Sequence, residues 1–281
     1  MRLVTTLVLS LALLLGLGGF STTADAAPRK DFQLTVLSYN IKHGVGEDGK
    51  LDLVRIADEI RASGADVVGL QEVDRYWGER SDWADQGAEL ARLLGYQLAY
   101  GANLDEAPPE GRTERRQYGT AILSRYPIVA SENIPLTSIP YPTRPTEQRG
   151  LLTATINVRG AFVQVWNTHL DHQRSEQRTS QVREILSRLD DPARPTVLTG
   201  DLNAIPDTPE MELLRTRFAD TFRELGRDDA YTYPANAPDR RIDYVLHAGP
   251  IRTLSGELRT AQYSDHLGVL ARLQIQTTPG R

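Results

Sequence analysis

Thr196-Val-Leu-Thr-Gly-Asp-Leu-Asn203 reads as a short buried strand that ends in chemistry. Its first residues are β-branched or apolar, Gly200 follows, and an acid, Asp201, and an amide, Asn203, come two residues apart. Along an extended chain, residues i and i+2 share a side. The carboxylate and the carboxamide are therefore expected to leave the strand end together, a pair suited to a water, a metal ion or a phosphate oxygen. Five more segments have the same design, a β-rich apolar run with polar residues at its boundary: Leu37-Ser-Tyr-Asn40, Leu70-Gln-Glu72, Trp166-Asn-Thr-His169, Arg241-Ile-Asp243 and Ser264-Asp-His266. Polar loops at one edge of a rigid sheet are where sites are usually built.

Outward from these segments the pattern alternates strands and helices. Phe32 to Ile41 and Ala65 to Leu70 read as strands. Between them Asp52 opens a helix with Leu53, Ile56, Ala57 and Ile60 on one face, closed by Gly64. Gln86 to Leu94 is a second helix stopped by Gly95, and Tyr96 to Tyr100 a short strand. Asp105 to Tyr118 and the proline-rich Pro135 to Gly150 read as long loops. Tyr118 to Ser124 and Ile128 to Ile134 are strands joined by a turn at Tyr126-Pro127, and Leu151 to Val158 forms a hairpin with Phe162 to Thr168. Ser175 to Leu189 is amphipathic, and Asp207 or Thr208 caps a helix with Pro209 at its first position. Ile242 to His247 and Leu267 to Ile275 complete the strands. The class is α/β or α+β with substantial antiparallel pairing.

Residues 1–26 read as a signal peptide: Arg2 gives a positive start, Leu3 to Phe20 is almost wholly apolar, and Ala24-Asp25-Ala26 is a small-x-small cleavage site. The apolar run is near the lower limit for a bilayer span, so an uncleaved anchor is the alternative. Residues 27–281 then form one domain, secreted or periplasmic, with no long linker and no internal repeat. The chain has no cysteine, which excludes disulfides, thiol catalysis and cysteine-ligated metals. Its net charge of -5 argues against tight sequence-independent DNA binding but leaves local basic patches open.

The chemistry that needs two histidines, several carboxylates and neighbouring amides is metal-assisted hydrolysis of a phosphate ester. Glu72 is a hard ligand of the kind Mg2+ takes, one or two carboxylates with the remaining positions left to water. A histidine beside a carboxylate can act as a general base near neutral pH. An imidazole can also donate to phosphate oxygens as charge develops on them.

The six segments, in this order from about Leu34 to Leu273, resemble the endonuclease/exonuclease/phosphatase superfamily, whose members include DNase I-like nucleases, abasic-site endonucleases, sphingomyelinases and inositol-polyphosphate phosphatases. Each motif alone is weak; all six in order are specific. The resemblance implies a four-layer sandwich, two mixed and mostly antiparallel β-sheets flanked by helices. It implies that Glu72 of Leu-Gln-Glu-Val is the principal Mg2+ ligand, supported by Asn40 of Ser-Tyr-Asn-Ile and by Asp265, with Mn2+ as a substitute ion. His169 would bind the scissile phosphate, and Asp201 and Asn203 would orient the attacking water or the leaving group. His266 would be the base, held and raised in pKa by Asp243, with Asp201 as the alternative base. Arg149 matches a position where some relatives keep an Arg near the phosphate, and Tyr118, His43 and His172 are further candidates for the substrate side. Gly119-Thr120-Ala121 departs from the family pattern, since Thr120 replaces an amide.

Plainer readings stand beside these. Glu72 alone would pass for a solvated strand-end carboxylate, and His169 and His266 singly for structural histidines. His43 and His172 read as well as surface groups as they do as cleft residues. Arg115-Arg116 resembles a solvated charge run. Tyr76-Trp77, Trp83 and Tyr231 to Tyr233 are loop packing as readily as stacking platforms. Asp48 to Asp52 is wrongly spaced for a calcium loop. The reading carried forward is an exported phosphodiesterase acting as a monomer. A nuclease-type substrate is slightly favoured over a phospholipid or inositol headgroup, and a non-catalytic binding protein on the same fold is the third alternative.

Overall fold

The computed structural model describes residues 31–142 and 146–276, so the expected signal peptide lies outside the described residues. In chain order the strands are β1 (Phe32–Asn40), β2 (Val67–Arg75), β3 (Gln97–Glu106), β4 (Arg116–Ser124), β5 (Ile128–Pro135), β6 (Gly150–Val158), β7 (Ala161–His169), β8 (Thr196–Asp201), β9 (Ala219–Asp220), β10 (Asp243–Ala248), β11 (Ile251–Arg259) and β12 (Gly268–Ile275). They form two 6-stranded sheets, ordered β11-β12-β1-β2-β4-β3 and β5-β6-β7-β8-β10-β9. Each sheet holds one parallel pair, β1 with β2 and β7 with β8, among antiparallel neighbours. A parallel pair needs a crossover, and helices supply both: α1 (Leu53–Ser63) follows β1 and α3 (Ser175–Ser187) follows β7.

The helices form where side chains begin and end them. Asp52 accepts from the Arg55 N–H at 3.0 Å, and Gly64 stops α1 in the left-handed region at φ 68. Asp85 and Gly95 do the same for α2 (Gln86–Leu94). Pro209 occupies the first turn of α4 (Pro209–Leu214), with Thr208 at its N-cap.

Three apolar clusters lie between the resulting layers. Leu37, Ile56, Ile60 and Leu90 join the first sheet to α1 and α2; Trp166, Val182, Ile185 and Met211 join the second sheet to α3 and α4. Leu34, Val36, Val67, Val165, Val197 and Val245 fill the space between the sheets. The order helix, sheet, sheet, helix is the expected four-layer sandwich.

Three features go beyond the sequence reading. β4 and β5 are joined at Tyr126-Pro127 as expected, but the chain crosses there from one sheet to the other, and β5 pairs with β6. The loop expected from Asp105 shrinks, because β3 runs to Glu106 and β4 starts at Arg116, joined by Arg116–Glu106 and Arg115–Asp105 ion pairs. β11 is an additional edge strand whose polar, half-exposed residues give little apolar periodicity.

The sheets touch most closely at Gly69, where a Cβ would fall 2.0 Å from Thr199 Oγ1 and 2.9 Å from Asn167 Oδ1. Gly69→Ala must therefore push the sheets apart, costing ~1–3 kcal/mol. Thermal denaturation should show a melting temperature lower by roughly 2–12 °C; an unchanged value would contradict this contact.

Candidate active site

Strand alternation builds the site. In β1, Leu34 and Val36 face the space between the sheets, and the same parity brings Asn40 there. Val163 and Val165 set the same face for Asn167 and His169, Val197 for Thr199 and Asp201, and Val245 for Asp243. Registry completes the convergence: Asn40 pairs with Gln71, His169 with Asp201, and Asp201 with Asp243. The carboxyl ends of both parallel pairs thus open at one end of the sandwich. His266 enters from the turn before β12.

Alternation alone would turn Glu72 away. The pairing of β2 with β4 slips between Leu70 and Val73, and Glu72 adopts φ 57. A bulge with a non-glycine residue in the left-handed region is costly and re-aims one side chain. Here it brings the Glu72 carboxylate to the Asn40 amide, whose Nδ2 donates to Glu72 Oε1 at 3.1 Å and to Asp201 Oδ2 at 3.1 Å. Asn203 is also left-handed, at φ 49. It sits beside Asp201 because its N–H donates to Asp201 Oδ1 at 3.0 Å, not because the strand continues, and its side-chain amide donates to Leu170 O.

His266 Nδ1 donates to Asp243 Oδ2 at 2.9 Å, and its Nε2 lies 3.7 Å from Asp201 Oδ2. His169 Nε2 lies 3.4 Å from the same Asp201 oxygen. Burial works against a charged His266, but the Asp243 and Asp201 carboxylates outweigh it and raise its pKa to about 10. Burial pushes Asp201 up to about 7, against the pull of His266 and the hydrogen bonds from Asn203 and Asn40. His169 is held well below the ordinary histidine value, first by burial and then by the Arg149, His266 and His172 charges. Burial also raises Glu72. Ligand atoms of Asp201, Asp243 and His266 all lie within 4.8 Å of one another. A cationic imidazolium between two carboxylates already satisfies that trio, whereas Glu72 makes no ion pair among the described residues and feels the His266 and Arg149 charges from farther off.

These groups meet a cavity of about 510 Å³ lined by Glu72, Tyr118, Arg149, His169, His172, Asp201, Asn203, Asp265 and His266. Asn40 and Asp243 lie beneath it, both fully buried. Arg149 is 3% exposed, with Nη1 3.1 Å from Glu147 Oε1 and Nη2 3.2 Å from His172 Nδ1. Burial raises the Tyr118 hydroxyl well above its usual range, so it stays a phenol. Asp265 is tied to Lys42 Nζ at 3.2 Å.

His43 is not brought in: it sits in the 3-10 turn Lys42–Gly44, outside the cavity lining. Thr120 is buried in β4, also outside the lining. Arg116 donates to Trp77 O and pairs with Glu106, bracing a loop. The residues that sequence reasoning left out are Arg178, Arg240, Glu147 and Ile205, which line the cavity from α3 and from loops where no motif marks them. Tyr233, ambiguous in the sequence, packs against His266 with ring centroids 4.6 Å apart and the rings tilted by 44°.

Comparison with known proteins shows the family and the fold. The model of the Endonuclease/Exonuclease/phosphatase family matches residues 37–266. The uncharacterized protein YbhP of Escherichia coli K12 is 27% identical over 261 residues, 88% of this chain and 98% of that protein. A crystal structure of an endonuclease/exonuclease/phosphatase from Beutenbergia cavernae DSM 12333 is 32% identical, with a TM-score of 0.70 over 86% of this chain and 72% of that one. The mannosyl-6-phosphatase Bt3783 of Bacteroides thetaiotaomicron VPI-5482, 18% identical, shares the fold at a TM-score of 0.64 over 85% of this chain and 99% of its own.

Asp243→Asn removes the carboxylate that best offsets burial of the His266 cation. The His266 pKa should fall from about 10, read by NMR titration of its ring protons. An unmoved value would mean that Asp243 does not hold the charge.

Proposed function

This chain belongs to the endonuclease/exonuclease/phosphatase family, and from that premise we propose that it is an exported, monomeric, Mg2+-dependent hydrolase cleaving a phosphodiester by in-line attack of a base-activated water. One observation carries the reading. Asn40, His169 and His266 converge on a single oxygen of Asp201, in a cavity whose wall is Glu72.

The donor set fits a hard dication. Glu72 is a half-buried carboxylate whose side-chain hydrogen bond, among the described residues, comes from Asn40. Mg2+ held there, or Mn2+ in its place, would polarise the phosphate oxygens and offset the charge that develops on them. Asp201 takes the proton from the attacking water; Asn40 and the Asn203 N–H hold its carboxylate in place. We assign the base to Asp201 rather than His266, because His266 is already protonated at neutral pH. Cationic His266 and neutral His169 donate to phosphate oxygens, with the Arg149 charge behind them. Export rests on residues 1–26.

A compact headgroup ester is favoured over nucleic acid by the surface beside the cavity. Ile205 and Arg240 are shared with a neighbouring cavity of about 400 Å³ lined by Asp207, Asp228, Asp229 and Asp239, against Arg240 and Arg241. Arg223, Arg240 and Arg241 pair with Asp207, Asp239 and Asp228, yet the lining carboxylates still outnumber the lining arginines. The next phosphates of a nucleic acid would therefore meet a net negative surface, whereas an uncharged or cationic arm would rest on exposed Ile205 and Tyr231.

With bis(p-nitrophenyl) phosphate and Mg2+, Glu72→Ala and His266→Ala should each lower kcat by ~10²-fold or more, and a chelator should abolish turnover. Activity retained in both variants would overturn the assignment. The rate should rise as Asp201 ionises near pH 7 and fall as His266 loses its proton near pH 10, giving a bell-shaped profile. A glycerophosphodiester with an amine-bearing arm should be cleaved faster than plasmid DNA; the reverse order would return the substrate to the nuclease class.

A further inference from the structure

Directly after Asn40 the chain makes a turn that few sequences would tolerate. Lys42 and His43 lie at φ 43 and 42, followed by Gly44 at φ 83. Consecutive non-glycine residues in the left-handed region are rare and costly, and persist where surrounding structure holds them. The turn gives Lys42 two contacts with the site. Its backbone N–H donates to Asn40 Oδ1 at 3.0 Å, which fixes the amide so that Nδ2 faces Glu72 and Asp201. Its ammonium lies 3.2 Å from Asp265 Oδ2.

Asp265 lines the same cavity as Glu72. On the family pattern it is a second carboxylate for the metal. In this chain it already faces a cation, a compact point charge on a flexible stem. An ammonium and a divalent ion compete for the same carboxylate oxygens, and each repels the other. Mg2+ needs only one or two protein carboxylates and keeps several waters, so Glu72 is sufficient when Asp265 is engaged elsewhere.

We propose that Lys42 is a tethered cation that occupies Asp265 in place of a metal ion, leaving a centre that binds a single divalent ion through Glu72 and whose affinity Lys42 sets. Lys42 is thus a positioning residue, acting on the metal through charge and through Asp265. The inference rests on the reading that Glu72 holds the metal, and the two are separable by experiment.

The measurement is calorimetric titration of the full chain with Mn2+ alone, without substrate. The unaltered protein should bind one ion. Lys42→Met frees Asp265 and removes a repelling charge, so affinity should rise on the order of tenfold. Lys42→Arg should behave like the unaltered protein. Asp265→Asn should have little effect alone but should cancel the gain when combined with Lys42→Met. Thermal denaturation of each variant checks folding, and the Lys42 N–H is retained in all of them. Unchanged affinity in folded Lys42→Met overturns the proposal. So does an Asp265→Asn variant that weakens binding as much as Glu72→Gln, because Asp265 would then be a resident ligand. If Glu72→Gln itself leaves Mn2+ binding intact, it is the metal reading of Glu72 that fails.

Discussion

Two sheets packed face to face leave a dry layer between them, and every polar group entering that layer must find a partner inside it. Asn167 meets that constraint. Fully buried on β7, it donates to Leu70 O and Ala121 O of the opposite sheet at 2.8 and 2.9 Å. Its Oδ1 accepts from Gln71 at 2.7 Å and from Thr199 at 3.0 Å. One side chain thereby ties β2 and β4 to β7 and β8. It does so one turn of the alternation below His169 and next to the bulge that carries Glu72. The separation between the two halves of the site is set by this amide and by the close approach at Gly69.

The same burial shifts the protonation of the groups at the site. Burial raises the Asp201 carboxyl and lowers His169, moving both toward neutrality. His266 escapes that drift because Asp243, paired with Asp201 across the ladder, stands against its Nδ1. Two histidines in one cavity thus take opposite protonation states. A carboxyl raised toward neutral pH and a histidine raised above its ordinary value come from the same layer, through different partners.

Much of this was legible in the residues. The β-branched runs, the helix start at Asp52, and the stops at Gly64 and Gly95 are local signals, and the structure follows them. The polar strand ends were legible because period-2 alternation carries inward parity from Val36 to Asn40 and from Val197 to Asp201. Three things were not. The left-handed turns at Glu72, Asn203 and Lys42 break the alternation, and only Asn203 is of a residue type that favours that region. The crossing between sheets after β4 resembles a hairpin turn, since partner choice depends on strands far away in sequence. Arg178, Arg240 and Ile205 reach the cavity from elements whose own patterns are those of ordinary helices and loops.

The strands, their polar ends and the chemical types collected there were legible along the chain, because these follow from periodicity and residue chemistry, while the four-layer arrangement was expected from the family resemblance. Which groups face one another is settled in three dimensions: Glu72 toward Asn40 through a bulge, His266 between two carboxylates, Asp265 against Lys42, and acidic side chains beside the cavity. Those pairings join residues far apart in the chain, from 23 positions for Asp243 and His266 to more than 200 for Lys42 and Asp265. Protonation and ligand preference depend on distance and burial in space, which no local pattern encodes.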